Sequence, residues 1–172
     1  LSFHNTLNRY FFALGREGLA MRALGQVHEK HLSPHVAGLF QSASAAAIVA
    51  LFVVTGADPY AVVFSWMSAL AVIGILSIQA LVSVAIVLYF RRQPDGHGVW
   101  TTVVAPLLAL VGLLGGLALV IANLSLLSGS DSPIVAAFPY AIVAVGVAGV
   151  IFAYRIKAKR PDLYAGLGRM LE

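Results

Sequence analysis

Residues 59–92 read PYAVVFSWMSALAVIGILSIQALVSVAIVLYFRR, and this stretch decides the fold. No Asp, Glu, Lys or Arg occurs between Asp58 and Arg91. A helix that crosses the hydrocarbon core of a bilayer needs about 20 mostly apolar residues, so the stretch is long enough to span a membrane. It is longer than one straight helix along the membrane normal requires. We therefore predict an interfacial piece near 60–67, followed by a span that ends near Phe90 beside Arg91 and Arg92.

Three further uncharged stretches flank this one. They lie between Lys30 and Asp58, between Asp95 and Asp131, and between Asp131 and Arg155. Each is also long enough for a membrane span, so the charge pattern predicts four spans in all. All eleven Lys and Arg residues lie in three clusters, before the first stretch, after the second and after the fourth.

The composition agrees with a membrane protein. The chain is 60% hydrophobic and 10% charged, with a mean hydropathy of +0.90. A soluble domain usually carries about 25% charged residues, so this sequence does not supply enough polar surface to be one. The net charge is +4, and the basic residues flank apolar stretches instead of forming a stripe with aromatic residues. This arrangement favours contact with a membrane surface over binding to nucleic acid. The absence of cysteine excludes disulfides, thiolate metal sites and cysteine nucleophiles.

The positions of the charges also predict an orientation. Cytoplasmic loops of membrane proteins are enriched in Lys and Arg. The 1–35 region, the 91–98 loop and the 155–172 tail are therefore predicted to be cytoplasmic, and the loops around Asp58 and Asp131 to face outward. The chain lacks an initiator Met and opens in a helix-like apolar pattern, so we expect a fragment whose N-terminal part is missing.

Polar motifs in the chain favour structural roles over catalysis. His28, His31 and His35 have a spacing that could bind zinc on one helix face, but Pro34 interrupts that helix, so we predict a basic loop and no metal site. No predicted span carries an Asp, Glu, Lys or Arg, which argues against a membrane enzyme. Gln79 is the most polar residue of a span.

We expect Gln79 and the serines around it to form interhelical hydrogen bonds, with substrate contact as the alternative. The serines are Ser65, Ser77 and Ser83. The spacing Gly112-x-x-x-Gly116 predicts close helix packing. The triplet Asn123-Leu-Ser125 matches a glycosylation sequon, but we predict no acceptor there because it lies at or near membrane depth.

Two stretches near the N-terminus carry a family resemblance. Residues 3–18 read FHNTLNRYFFALGREG, and residues 27–37 read VHEKHLSPHVA. They resemble the amino acid–polyamine–organocation permeases, in which helix 8 ends on an N-x-x-x-R-x-x-x-A-x-x-R-[DE]-G pattern and a cytoplasmic loop leads through Ser/Thr-Pro into helix 9. The family usually has Pro three residues after that Gly, where this chain has Met21. The matching residues are Asn5, Arg9, Arg16, Glu17, Gly18 and Pro34.

The resemblance implies an all-α membrane protein, the C-terminal portion of the fold of the bacterial leucine transporter. That portion would hold four full transmembrane helices and the end of a fifth. The predicted segments are the cytoplasmic half of helix 8 at 1–18, a cytoplasmic loop at 19–35, helix 9 at 36–56, helix 10 with its interfacial start at 60–90, a cytoplasmic loop at 91–98, helix 11 at 101–127, helix 12 at 134–154 and a basic tail at 155–172.

The resemblance also implies site residues. In that fold the substrate lies at the midplane, held mainly by the broken helices 1 and 6, which this chain does not contain. Helix 10 borders the substrate pathway, and its candidate residues are Trp66, Ser68 and Gln79. Hydroxyls on helix 8 help to bind an ion in sodium-coupled relatives, which makes Ser2 the candidate ion ligand. Helices 11 and 12 usually serve as scaffold or dimer surface.

The expected function is therefore that of the C-terminal fragment of an amino acid or polyamine permease, a secondary transporter that works by alternating access. It would lie in a bacterial cytoplasmic membrane with its C-terminus inside. We expect no cofactor, with H⁺ or Na⁺ as coupling ion. The partners would be lipid, the substrate and a second copy docked through helices 11 and 12. The alternative is a small accessory or scaffold membrane subunit without a substrate site.

Overall fold

The computed structural model describes residues 2–28, 30–31, 33–92 and 98–167, and in these residues the regular structure is helical. The helices are α1 Ser2–Arg16, α2 His35–Val54, α3 Ser65–Arg92, α4 Ala105–Ala122, α5 Leu124–Ser128, α6 Pro133–Ala136, α7 Phe138–Lys159 and α8 Pro161–Gly166. A 3₁₀ turn at Arg22–Gly25 follows α1, and wide π-helical turns at Pro59–Phe64 and Trp100–Val104 lead into α3 and α4. The chain divides into two units, residues 1–56 with 147–172, and residues 57–146.

Four of the helical segments in the described residues are long and apolar enough to cross a membrane. They are His35–Val54, Pro59–Arg92, Trp100–Ala122 and Pro133–Lys159. The 15 residues of α1 extend about 22 Å, less than a full span, because an α-helix rises about 1.5 Å per residue. The predicted all-α membrane fold with four helices able to span a membrane is confirmed. The membrane limits of each span stay predictions.

In the first unit, α1 ends in a glycine-dependent turn. The amide of Gly18 donates to the carbonyl of Gly15 at 3.2 Å, and the amide of Leu19 donates to that of Leu14 at 3.0 Å. This pair of bonds is a Schellman motif, which needs a left-handed residue, and Gly18 supplies it with φ +72°. The Arg-Glu-Gly sequence at 16–18 therefore ends the helix, and Arg16 complements the negative end of its dipole.

A close backbone approach then fixes the 3₁₀ turn against α1. A Cβ atom added to Gly15 would lie 2.9 Å from the backbone carbonyl carbon of Leu24, and Leu24 is only 3% exposed. The α1 helix also packs on α2, where the rings of Phe11 and Phe40 meet edge to face at 5.2 Å. Glycine at position 15 is thus required by packing.

The start of α2 differs from a simple Ser-Pro cap. Pro34 occupies the N-cap position, and no side chain caps the first turn. The carbonyl of Ser33 instead accepts hydrogen bonds from the amides of His28 and His35, both at 2.9 Å. The Ser-Pro pair therefore closes the preceding loop onto the helix through the Ser33 backbone.

In the second unit, the long helical segment begins at a side-chain cap. One carboxylate oxygen of Asp58 accepts from the amides of Tyr60 at 2.9 Å and Ala61 at 2.6 Å, and Pro59 takes the first helical position. A capping carboxylate satisfies donors that have no intrahelical partner. The helix then continues from Pro59 to Arg92, with a π-helical stretch at Pro59–Phe64 before α3. The interfacial location expected for residues 60–67 stays a prediction.

The helix of the third span ends earlier than the predicted limit of 127. Asn123 has φ −117° and ψ 31°, and its Nδ2 atom donates to the carbonyl of Leu119 at 2.9 Å. A short polar side chain that bonds to the backbone competes with helix propagation, which explains why α4 stops at Ala122. The short α5 follows and closes on Gly129 at φ +65°.

The core of the second unit lies where these short helices meet α3. Ala69 and Ile73 of α3 are 0% and 1% exposed, and they cluster with Leu124, Val135 and Phe138. Most other large apolar side chains of the spans are exposed, which is the pattern expected of helices that face lipid or further protein. The break at Asn123 thus allows α5 and α6 to cover one end of α3.

Candidate functional site

Trp66 belongs to the core of the second unit. Its ring meets that of Phe138 at 6.5 Å in an edge-to-face arrangement, and it packs against the buried cluster around Ile73. Aromatic pairs in this geometry stabilise a core by about 0.5–1.5 kcal/mol beyond the area that they bury. Trp66 thus holds α3 against α5–α7, and its expected place beside the substrate pathway stays a prediction.

Ser68 and Gln79 lie on another face of α3. They are separated by 11 residues, about three turns of 3.6 residues, and therefore share a face, whereas Trp66 lies on the opposite one. Ser68 is half-buried and Gln79 is exposed within the described chain. The structure thus brings Ser68 and Gln79 together on one helix face and separates both from Trp66.

The serines beside Gln79 bond to their own helix. The hydroxyl of Ser77 donates to the carbonyl of Ile73 at 2.7 Å, that of Ser83 to the carbonyl of Gln79 at 3.0 Å, and that of Ser65 to the carbonyl of Tyr60 at 3.3 Å. These are the local back-bonds that Ser makes in helices. The interhelical serine bonds predicted from the sequence are therefore absent from the described residues.

The side chain of Gln79 remains as the polar group of this face. It stands at the middle of α3, and its amide makes no hydrogen bond within the described part of the chain. Moving an amide from water into hydrocarbon without a partner costs roughly 2–7 kcal/mol. Polar side chains at this depth therefore face other protein or water, and Gln79 marks the face of α3 that needs such a partner.

An apolar groove of about 440 Å³ runs beside this region of the second unit. It is lined by α3, α4 and α7, with Gly74, Leu81, Leu117 and Ile142 among its walls. The Ile142 Cδ1 atom lies 3.6 Å from where a Cβ of Gly74 would stand, so a small residue at 74 lets α7 approach α3. The hydroxyl of Ser77, which also lines the groove, is already bonded within its helix, so the groove is chemically apolar.

The family-motif residues are spread along α1 and the loop after it. Asn5, Arg9 and Arg16 are exposed, and the Arg16 guanidinium lies over the Phe12 ring at 5.7 Å from its centroid. The backbone of Ser2 begins α1, but its side chain lies outside the described residues, so its role as an ion ligand stays a prediction. Gly18 and Pro34 act through the backbone, as described above.

Two polar residues that the sequence reasoning missed lie in the first unit. The Oδ1 atom of Asn8 and the Oε1 atom of Gln41 are buried without a hydrogen-bond donor in the described structure. Asn8 packs on α2, since its Nδ2 atom lies 3.3 Å from where a Cβ of Gly38 would stand. Gln41 follows Gly38 by three residues and so shares its face. For Gln41, a polar amide inside a long uncharged stretch was the available signal.

The three histidines of the loop do come together. The His28 ring lies 4.9 Å from that of His31 and 5.3 Å from that of His35. The Nδ1 atom of His28 accepts from the amides of Lys30 at 3.2 Å and His31 at 3.4 Å, so that nitrogen is used by the loop itself. Among the described residues, no group of three or more ligands is arranged to hold a metal ion.

The two glycines of the predicted GxxxG packing motif are open, and so are two glycines of α7. A Cβ at Gly112 or Gly116 of α4 would meet nothing within 4 Å, and the same holds for Gly146 and Gly149 of α7. The GxxxG spacing therefore makes no close contact inside the described chain. The prediction of close packing at this motif is not met within the chain itself.

Comparison with known proteins identifies the family. A family model described as amino acid permease matches residues 2–152. The branched-chain amino acid permease BcaP of Bacillus subtilis (strain 168) is 34% identical over 87 residues, which are 51% of this chain and 17% of that protein. The match thus spans about a sixth of the length of this curated relative. No solved structure gives a significant match. Because the family model covers most of the chain, the chain belongs to the amino acid permease family.

Proposed function

We propose that this chain is the C-terminal part of a secondary transporter that moves an amino acid or polyamine by alternating access. Three findings support the proposal: the family match over residues 2–152, the four helices able to span a membrane, and the likeness to a protein named as a branched-chain amino acid permease. The limited share of that relative covered by the match supports a larger working unit.

The observation that carries the proposal is the position of Gln79. An unpartnered amide at the middle of an apolar helix is costly against lipid, and it becomes favourable when it faces a hydrated substrate pathway. Ser68 lies three turns away on the same face and adds a hydroxyl. We propose that the face of α3 defined by Ser68 and Gln79 lines part of the pathway, and that Trp66 supports it from behind.

The coupling ion in this proposal is H⁺ or Na⁺, and no cofactor takes part. The uncharged stretches contain no Asp, Glu, Lys or Arg, so they offer no carboxylate that could carry a proton across the membrane. Ser2 is the proposed contribution of this chain to an ion site. The proposed location is the cytoplasmic membrane of a bacterium, with the C-terminus inside, because the basic clusters follow the positive-inside pattern.

A chimera tests the proposal. Residues 2–152 of this chain would replace the segment of the Bacillus subtilis permease that corresponds to the same part of the family model, and uptake of radiolabelled leucine, isoleucine and valine into vesicles would be measured. We expect saturable uptake. Gln79→Leu should lower kcat/KM about tenfold, equivalent to about 1.4 kcal/mol of transition-state binding. The matched control Ser77→Ala should retain uptake, because its hydroxyl bonds only to its own helix.

Two results would contradict the proposal. A chimera that inserts into the membrane but gives no uptake above empty vesicles would argue against a shared transport fold. Saturable uptake by the 172-residue chain alone would argue against its being part of a larger transporter.

A second copy of the chain is the proposed protein partner. The open glycines of α4 and α7 support it, because small residues at such spacings let helices approach closely within a membrane. The same surfaces would suit the accessory or scaffold subunit that is the alternative function. Uptake by the chain alone does not distinguish a transporter fragment from a scaffold subunit, because neither is expected to transport by itself. The chimera does distinguish them, since a scaffold subunit would not restore transport.

A further inference from the structure

A basic cavity lies at one end of the first unit. Its volume is about 470 Å³, within the range of about 300–1,000 Å³ common for small-ligand sites. Three arginines line it, namely Arg16, Arg22 and Arg160, together with Glu17 and several glycines. Three guanidinium groups against one carboxylate leave the cavity with two net positive charges.

The three arginines come from three different segments. Arg16 is the last residue of α1, Arg22 begins the 3₁₀ turn, and Arg160 lies between α7 and α8. All three side chains are exposed. Their meeting at one cavity is therefore a product of the fold and could not be read from any single stretch of sequence.

Close packing at two glycines holds these segments in place. The close approach of Gly15 to Leu24 fixes the turn that carries Arg22 against α1. The left-handed Gly18 faces α8, where the Leu163 Cδ1 atom lies 3.0 Å from the site that a Cβ would occupy. A cavity walled by ordered backbone positions its arginines with less loss of conformational entropy on binding than a flexible basic tail would.

The chemistry of the cavity fits a phosphate group. The planar guanidinium group donates two parallel hydrogen bonds to phosphate oxygens, which makes arginine suited to this ligand. The cavity stands where the apolar α7 gives way to Lys157, Lys159 and Arg160, and this is the level at which a bilayer presents its headgroups. Basic pockets between membrane helices bind anionic lipid headgroups for the same reason.

We propose that the cavity formed by Arg16, Arg22 and Arg160 binds the headgroup phosphate of an anionic phospholipid. The lipid would join the end of α1 to the end of α7 through its phosphate. None of its lining residues belongs to the proposed substrate face of α3, and its occupancy can be measured without transport.

The test uses the purified full chain in a neutral detergent. Native mass spectrometry would measure the bound fraction during titration with dioleoylphosphatidylglycerol. The reference is dioleoylphosphatidylcholine, which carries a phosphate but is zwitterionic and has no net charge. We expect saturable binding of phosphatidylglycerol alone. The double variant R16Q/R160Q should weaken it about 25-fold, about fivefold for each basic group removed at a membrane surface.

The matched control removes the same charge elsewhere. R91Q/R155Q deletes two exposed arginines that do not line the cavity, and it should change the affinity less than twofold. The variant R16K/R160K retains charge without the bidentate geometry and should lie between wild type and R16Q/R160Q. Circular dichroism checks that every variant keeps its helix content.

Equal weakening by R16Q/R160Q and R91Q/R155Q would overturn the proposal, because it would show diffuse surface attraction. A second outcome is saturable binding of inorganic phosphate that depends on the same arginines, without binding of phosphatidylglycerol. That outcome would show that the phosphate ligand is not a lipid headgroup and would overturn the proposal. Binding of phosphatidylcholine equal to that of phosphatidylglycerol would also overturn it.

Discussion

Gly15→Ala tests the packing that organises the first unit. The new methyl group would lie 2.9 Å from the backbone carbonyl carbon of Leu24, whereas carbon atoms in contact prefer about 3.5–4.0 Å. Backbone atoms of the turn must move to accept it, and such overpacking costs about 1–3 kcal/mol. The same substitution in an open helical position removes the entropic cost of glycine, which favours the variant by about 0.5–1 kcal/mol. The two terms leave a loss of about 0–2.5 kcal/mol. We expect about 1–2 kcal/mol, because the backbone nitrogen of Gly25 lies even closer to the new methyl group.

A thiol at the buried position measures this loss. The chain has no cysteine, so Leu24→Cys gives a single reporter at a site that is 3% exposed. Its labelling rate by a maleimide reports how often the turn opens. A loss of about 1–2 kcal/mol should speed labelling about 5- to 30-fold, since 1.4 kcal/mol is a factor of ten.

Gly112→Ala is the matched control in the same Leu24→Cys background. A Cβ at Gly112 meets nothing within 4 Å, so labelling should stay within twofold of the parent. Equal labelling rates in the two glycine variants would refute the argument, because they would show that the approach of Gly15 to Leu24 does not hold the turn closed.

Other substitutions test other parts of the structure, each in its own assay. Ile73→Ala removes a side chain that is 1% exposed and should destabilise the second unit by about 2–5 kcal/mol, measured by detergent-denaturant titration; a change below 0.5 kcal/mol would contradict the assigned core. Asp58→Ala removes the cap of the long helical segment and should cost about 1 kcal/mol in the same titration, whereas Asp58→Asn should cost less. Asp131→Cys should react with an impermeant maleimide in intact cells, and Arg91→Cys only after permeabilisation; the reverse pattern would overturn the proposed orientation.

The sequence predicted the spans well because their signal is additive. Each uncharged stretch repeats the same physical constraint many times, and no single residue decides it. The end of α1 was also within reach, since Gly18 after Arg16 and Glu17 is a known way to stop a helix. The end of α4 was harder to predict, because the residues around it are apolar. It depends on one side-chain hydrogen bond, from Asn123 to the carbonyl of Leu119.

The site residues were harder to predict because their roles depend on which face of a helix meets which neighbour. Trp66 and Gln79 are both unusual residues in one apolar segment, and the family resemblance implied a place beside the substrate pathway for both. The structure places Trp66 in the core with Phe138 and Gln79 on the exposed face. The meeting of three arginines from separate segments likewise requires the fold.

Some glycines of this chain pack against the chain itself, and others lie on open surface. Gly15 and Gly74 lie against other parts of the chain, whereas Gly112, Gly116 and Gly149 face open space. Helix association in a membrane depends on close packing and hydrogen bonds, because lipid is as apolar as the side chains. The open glycines and the amide of Gln79 therefore mark surfaces that would make favourable contacts with groups outside the described chain. The proposed transporter supplies partners of both kinds, a helix surface for the glycines and a hydrated pathway for the amide, whereas lipid alone supplies neither.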